Sequence, residues 1–194
     1  MRTQPSYFAV GTLVFILFVL SGCSVNVKKN DNGQDKKVDI DTPFGGIHVS
    51  KGADVRDTGL PVYPGARLKD KGDSDDEKSA NVNISTSQFG LKVVALNYET
   101  DDAPDKVVAY YKDQLKKYGS VLECHTQGRS ASYVHHSDKG DSDQLTCEGE
   151  NNGKTIELKV GTEHNQHIVA IDPRDKGSDF ALVYVRMRGK EGTI

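Results

Sequence analysis

Apolar and polar residues alternate along much of the chain. Val38 and Ile40 alternate with Asp39 and Asp41, a turn follows over Pro43–Gly46, and Ile47 and Val49 resume the alternation. Period two on both sides of a glycine-rich turn predicts a hairpin. "ANVNISTSQFGLKVVALNYET" predicts a second. Val82 and Ile84 mark its first arm, Ser87–Gly90 the turn, and Leu91–Tyr98 a more apolar second arm suited to the middle of a sheet. Between the hairpins lies "GLPVYPGARL", Gly59–Leu68, with two prolines three residues apart. They deny regular pairing and favour an extended stretch closed by a turn, with Tyr63 covering the edge of the core. The stretch 69–79 reads as a charged loop.

The period then changes. In "TDDAPDKVVAYYKDQLKKYG", Val108, Tyr111, Leu115 and Tyr118 fall three or four apart, which predicts a helix with one apolar face. Asp102 is placed to accept from the first free amides, Pro104 suits the first turn, Lys116 and Lys117 suit the last, and Gly119 ends it. Helical spacing puts Tyr111 in the core and Tyr110 at its margin.

Val121–His125 then reads as a strand and a polar loop runs to Asp143. Gln144–Glu150 is expected to open a meander that turns at Asn152-Gly153 and returns as "TIELKVG". "QHIVAID" and "FALVYVRMR" are the last two strands. In the final one Ala181, Val183, Val185 and Met187 face one way, and Leu182, Tyr184, Arg186 and Arg188 the other. The expected class is α+β: an antiparallel sheet of several strands with one principal helix packed across one face, forming a single domain over residues 38–190.

Upstream the pattern is different again. Arg2 is followed by an uncharged run, Phe8–Leu20, of 13 residues. A membrane-spanning helix needs about 20. The run instead suits the apolar part of a signal peptide, residues 1–22, with small Ser21 and Gly22 at its end. "LSGC", Leu20–Cys23, resembles the lipobox of bacterial lipoproteins. The resemblance implies that Cys23 becomes the mature N-terminus and that its sulfur carries the diacylglycerol anchor. Firm attachment takes more than one acyl chain, which lipoproteins carry. Ser24 in place of an aspartate leans towards the outer membrane, facing the periplasm. Residues 23–37 then read as lipid attachment and a flexible tether, polar and lysine-rich, holding the domain on the order of 20 Å from the bilayer.

A second resemblance covers about a third of the chain. "TPFGGIHV", "GLPVYPGA" and "VVAYYKDQLKKYG" together resemble uncharacterised bacterial envelope proteins. In these a YPGA turn precedes a hairpin and a helix of the form V-x-x-[FY]-Y-x-x-x-L-x-x-x-G. Val107, Tyr110, Tyr111, Leu115 and Gly119 hold the helix positions. Many members follow that glycine with tryptophan, whereas Ser120 and Val121 stand here. The group implies an envelope location and brings no activity with it.

Three cysteines are present, Cys23, Cys124 and Cys147. With Cys23 lipidated an even pair remains, and an oxidising compartment predicts a Cys124–Cys147 disulfide. The alternative, zinc held by Cys124, His125, Cys147 and either His135 or His136, matches no common ligand spacing. Net charge is −3, and Arg2 is the only charge in the first 22 residues, so the body is mildly acidic. That argues against nucleic acid, whose phosphates need a basic field, and against attraction to anionic lipid.

Chemistry is sparse. There is no G-x-S-x-G, H-E-x-x-H or P-loop. His164 and His167 fall where a turn enters a strand, so they point to opposite sides rather than to one metal. His135 and His136 sit in a polar loop. Asp70, Asp73, Asp75, Asp76 and Glu77, and Asp138, Asp141 and Asp143, lack EF-hand spacing and read as solvated loops. Asn83-Ile84-Ser85 is a sequon inside an expected strand. No cofactor, metal or catalytic group is expected. The function expected is that of a membrane-anchored, non-catalytic envelope module that binds an envelope protein or cell-wall partner through its sheet edge or a loop. The alternative is a hydrolase whose Ser, His and Asp are assembled by folding.

Overall fold

The computed structural model describes residues 24–29, 36–50, 52–69, 79–127, 143–147 and 149–189. Among these residues ten strands form one antiparallel sheet. They are β1 (Ser24–Lys29), β2 (Lys36–Thr42), β3 (Gly45–Ser50), β4 (Arg67–Leu68), β5 (Ser79–Thr86), β6 (Gly90–Thr100), β7 (Leu122–Thr126), β8 (Thr155–Thr162), β9 (Asn165–Pro173) and β10 (Ser178–Arg188). The order is β1-β2-β3-β5-β6-β10-β9-β8-β7, with β4 also paired to β6. One helix, α1 (Pro104–Leu115), continues as a 3-10 turn to Tyr118. The molecule is therefore dominated by its sheet, where a more even α+β balance was expected. Both predicted hairpins are present, with Val38 opposite Val49, Ile40 opposite Ile47, and Ile84 opposite Leu91.

The helix covers β8, β9 and β10. Val107, Tyr111 and Leu115 are fully buried against Leu158, Val160, Val169, Ile171, Phe180 and Leu182. Phe180 is the centre of an aromatic cluster. It stacks on Tyr98 with ring centroids 5.5 Å apart and meets Tyr111 at 5.6 Å and Tyr63 at 6.3 Å. Tyr63 belongs to the core rather than to its edge. The other face of β6, β9 and β10 carries a second cluster of Ile168, Ala170, Ala181, Val183 and Val185. Alternation along β10 supplies both clusters from one strand, as its period requires.

Away from the helix the polarity of the sheet inverts. On the helix side a register row runs Asp39, His48, Asn83, Lys92, Arg186 and Asn165 across β2 to β9. On the opposite side Ile40, Ile47, Ile84, Leu91 and Met187 form an apolar row. Residues directly opposite across an antiparallel pair share a face, so each row behaves as one stripe.

Three local expectations change. Residues 24–29 are strand β1, and β2 begins at Lys36, so most of the supposed tether is part of the sheet. Pairing with β2 satisfies backbone groups that composition alone had left in coil. Asp102 does not cap α1; Ala103 holds that position without a side-chain bond. The Asp102 carboxylate instead accepts from Lys106 Nζ at 2.6 Å and the Tyr63 hydroxyl at 3.0 Å, and these bonds hold it below the ordinary aspartate range, Lys106 contributing most. Finally, residues 144–147 are not a strand. Gly153 crosses so close over β7 that a Cβ there would lie 1.6 Å from the Thr126 carbonyl oxygen, leaving no room for a hairpin.

A chain of alternating charges ties the end of the sheet at which α1 begins. Arg67 reaches Asp101 and Glu99 at 3.3 Å, and Arg174 bridges Glu99 and Asp179 at 3.2 Å. Lys69 closes on Asp179 at 2.8 Å. Exposed pairs singly contribute little; a network spanning β4, β6, the β9–β10 turn and β10 holds their relative positions. The core carries most of the stability. Phe180→Ala is expected to cost about 3–5 kcal/mol, checked by urea unfolding, because its site is walled by three rings that cannot collapse inward together.

Candidate functional site

The sequence-predicted residues scatter. Cys23, His135, His136, the acidic cluster from Asp70 to Glu77, Asp138 and Asp141 lie outside the described residues. Cys124, on β7, and Cys147 are joined by a disulfide with Cα atoms 5.5 Å apart. His164 sits in the β8–β9 turn, 3.3 Å from the Asp143 carboxylate. His167, three residues on, is in β9 and buried. Asn83 is in β5, as its sequon context implied. Among the described residues no group of three or more His, Cys, Asp or Glu side chains is placed to hold a metal ion.

His167 has a built environment. Its ring stacks on Tyr118 at 3.9 Å and lies 4.9 Å from Tyr184. Its Nδ1 is 2.8 Å from the Thr58 carbonyl oxygen, which makes Nδ1 the protonated nitrogen, since a carbonyl can only accept. Tyr118 donates to the Gly59 carbonyl at 2.6 Å, and Lys117 donates to the same oxygen at 3.2 Å. The ring thus pins the short 3-10 turn Val55–Thr58 and the end of α1 to the sheet. Burial lowers its pKa from the ordinary 6.5, and the nearby Lys117 ammonium adds to the effect, against the opposing bond to Thr58. His48, in contrast, is exposed and pairs with Asp39 at 2.9 Å. Among the described residues neither ring is hydrogen-bonded to a serine hydroxyl.

The two borders of the sheet differ, and the difference marks the candidate site. An unpaired edge strand offers a row of free amides and carbonyls to any extended chain. Beyond β7 that row is occupied. His125 N donates to the Asn151 side chain, and Gly153 N donates to the His125 carbonyl at 3.0 Å. Cys147 Sγ lies 3.7 Å from the Glu123 carbonyl, and Asp143, on the same covering segment, accepts from Glu163 N of the β8–β9 turn at 3.2 Å. The disulfide holds this covering segment against β7. Lys112 pairs with Glu123 at the same border and is the main cause of that carboxylate's lowered pKa. At the other border β1 pairs with β2 in continuous register, Ser24 with Asp41 through Lys29 with Lys36. Among the described residues nothing pairs with its outer side. Val25 there is 64% exposed.

The alternation of β1 is short, Val25 and Val27 among polar residues, and lysines dilute it, which is why composition made it a tether. Its signal was the matching Val38 and Ile40 of β2. No protein-family model matches the chain, and neither the curated proteins nor the solved structures hold a match to it.

Two outcomes follow. Cys147→Ser is expected to destabilise the fold by about 3 kcal/mol through the freed loop, read by urea unfolding, and to speed amide exchange in β7. His167 titrates below its ordinary 6.5 in the folded state, because burial disfavours its charged form, and near 6.5 when unfolded. Its contribution is therefore complete above pH 6.5, declines as pH falls below that, and is fully lost once pH passes its lower folded value. Unfolding measured between pH 5 and 8 should show this loss in the parent, and His167→Gln should flatten it.

Proposed function

We propose that the protein is a lipid-anchored binding module of the bacterial cell envelope, held by Cys23 and engaging an extended segment of an envelope partner along the outer edge of β1. The observation that carries the reading is the start of β1. Ser24 directly follows the cysteine of the LSGC motif and opens β1, so a lipid on Cys23 would be one residue in sequence from the open edge. A strand added there continues the sheet, its main chain supplying affinity and its alternate side chains selectivity. The covering of β7 supports the same assignment, since it leaves a single border for growth among the described strands. Serine after the cysteine favours the outer membrane with the domain facing the periplasm. No cofactor enters this reading.

Mass spectrometry of the full chain extracted from native membranes is expected to show Cys23 as the first residue, with added lipid mass and with Cys124 and Cys147 oxidised. Cys23→Ala should release the domain or block processing; unchanged size and membrane retention would contradict the anchor. A photo-crosslinking amino acid at Asn26, exposed in β1, is expected to capture a discrete partner in intact envelopes, whereas the same group at Gln127, exposed just after β7, captures none. Equal yields at both positions would exclude β1 as the docking edge.

A further inference from the structure

We propose that the end of the sheet bearing Phe44 and Phe89 inserts into the bilayer, so that the domain stands upright on the membrane that holds its anchor. The proposal rests on lipidation of Cys23 for the nearness of that membrane. One register row crosses six strands: Ser24, Asp41, Gly46, Ser85, Gly90 and Arg188. Strand β1 starts in this row, and beyond it, at the same end, lie the β2–β3 turn and the β5–β6 turn. Each turn presents a phenylalanine, Phe44 at 82% exposure and Phe89 at 42%. Val25 and Ile47, on the strands just behind, are also exposed.

Single exposed apolar side chains need no explanation; their grouping does. The exposed large hydrophobics among the described residues are these four together with Leu68 and Tyr118. Tyr118 has its stacking role on His167, which leaves one end of the sheet holding almost all of the remainder.

The two turns are built alike. In Thr42-Pro43-Phe44-Gly45 the Thr42 hydroxyl accepts from Phe44 N at 3.3 Å and donates to the Gly45 carbonyl at 2.7 Å. In Thr86-Ser87-Gln88-Phe89-Gly90 the Thr86 hydroxyl accepts from Phe89 N at 2.9 Å and donates to the Phe89 carbonyl at 3.0 Å. In each turn a threonine hydroxyl closes on the backbone beside an exposed ring. Gly45 follows the first ring at φ 152°, and a Cβ there would lie 2.2 Å from the Ser85 carbonyl oxygen, so the turns of adjoining hairpins are held close. Two strand spacings separate them, about 10 Å. Asp41 and Arg188 sit one row behind the rings, where headgroups would meet them.

Those features fit a phospholipid surface. The tips carry no charge, the backbones that bear the rings are braced by threonine, and the acyl chains on Cys23 would enter the bilayer one residue from β1. With no spacer, the effective concentration of membrane at the tips is high, so two rings suffice for a contact that would be weak in isolation. Strands standing on their turns also hold the outer edge of β1 upright and open along the membrane plane.

The chain has no tryptophan, so a single one is a clean reporter. Phe44→Trp and, separately, Asp105→Trp would be made in the full chain, isolated from membranes and placed in vesicles of brominated phosphatidylcholine. Asp105 lies in the first turn of α1, at the opposite end of the sheet, and is exposed. The Phe44→Trp protein is expected to emit at shorter wavelength and to lose about half its emission to the brominated chains, as suits a side chain at the acyl boundary. The Asp105→Trp protein should emit as in water, unquenched. Phe89→Ser added to the first variant should reduce its quenching. If Cys23 carries lipid and the Phe44→Trp emission stays water-like and unquenched, the insertion edge is overturned while the anchor stands. Quenching without lipid on Cys23 upholds the edge and removes the anchor. A blue shift that grows with protein concentration and is not quenched assigns the tips to a second copy and overturns the proposal.

Discussion

The pairing of β6 with β10 is the contact on which the rest of the structure depends. Eleven residues of each strand are in register, from Ser178 opposite Thr100 to Arg188 opposite Gly90. It joins the last strand of the chain to one in its middle. On one side of this seam the N-terminal hairpins add outward to β1, and on the other the C-terminal meander adds outward to β7. Neither half has its own complete core. Leu96 and Tyr98 from β6 meet Leu182 and Phe180 from β10 under the helix, while Ala95 and Val93 meet Val183 and Val185 on the reverse side. Closing such a distant contact is entropically costly, and burial on both faces of the seam is what offsets that cost.

The seam also sets the polarity of the surface. Where α1 lies, the helix-side face is apolar and buried; beyond it the same face becomes the row from Asp39 to Arg186. The apolar stripe passes to the other side. An amphipathic sheet of this kind is distinguished by its ends and edges. One border is closed by a disulfide-held segment, and the other is open among the described residues. One end is locked by the charge chain from Asp101 to Lys69, and the other carries the two phenylalanine turns. Binding along an edge and standing on an end are the uses such a shape offers, and Ser24, next in sequence to the proposed anchor, lies where the two meet.

Much of this was legible in advance, for reasons specific to each element. The alternation of Val38 and Ile40 with Ile47 and Val49 defined a hairpin because period two and a glycine-rich turn leave few other arrangements. Val108, Tyr111 and Leu115 defined the buried face of α1 because 3.6-residue spacing stacks them. The alternation of β10 assigned Leu182 and Val183 to opposite faces correctly. What failed were judgements that needed a partner. Residues 24–29 read as coil because their two valines mean little until β2 lies beside them. Asp102 read as a cap because local geometry allowed it, whereas Lys106 on the helix and the Tyr63 hydroxyl, distant in sequence, together hold its carboxylate away from the free amides. Residues 144–147 read as a strand because nothing in the sequence reveals that Gly153 must cross Thr126.

By itself the sequence determined the elements: where alternation, helical period, prolines and glycines permit strand, helix or turn, and where an apolar run ends at a cysteine. These are short-range properties, set by the direction of successive side chains and the freedom of each backbone unit. Only the tertiary structure decided which edge stays open, which face is covered, and that Phe44, Phe89 and Ser24 share one end of the sheet. Those outcomes depend on register between strands far apart in the chain. Register is a collective choice, settled by the burial of many side chains together rather than by any residue's own preference.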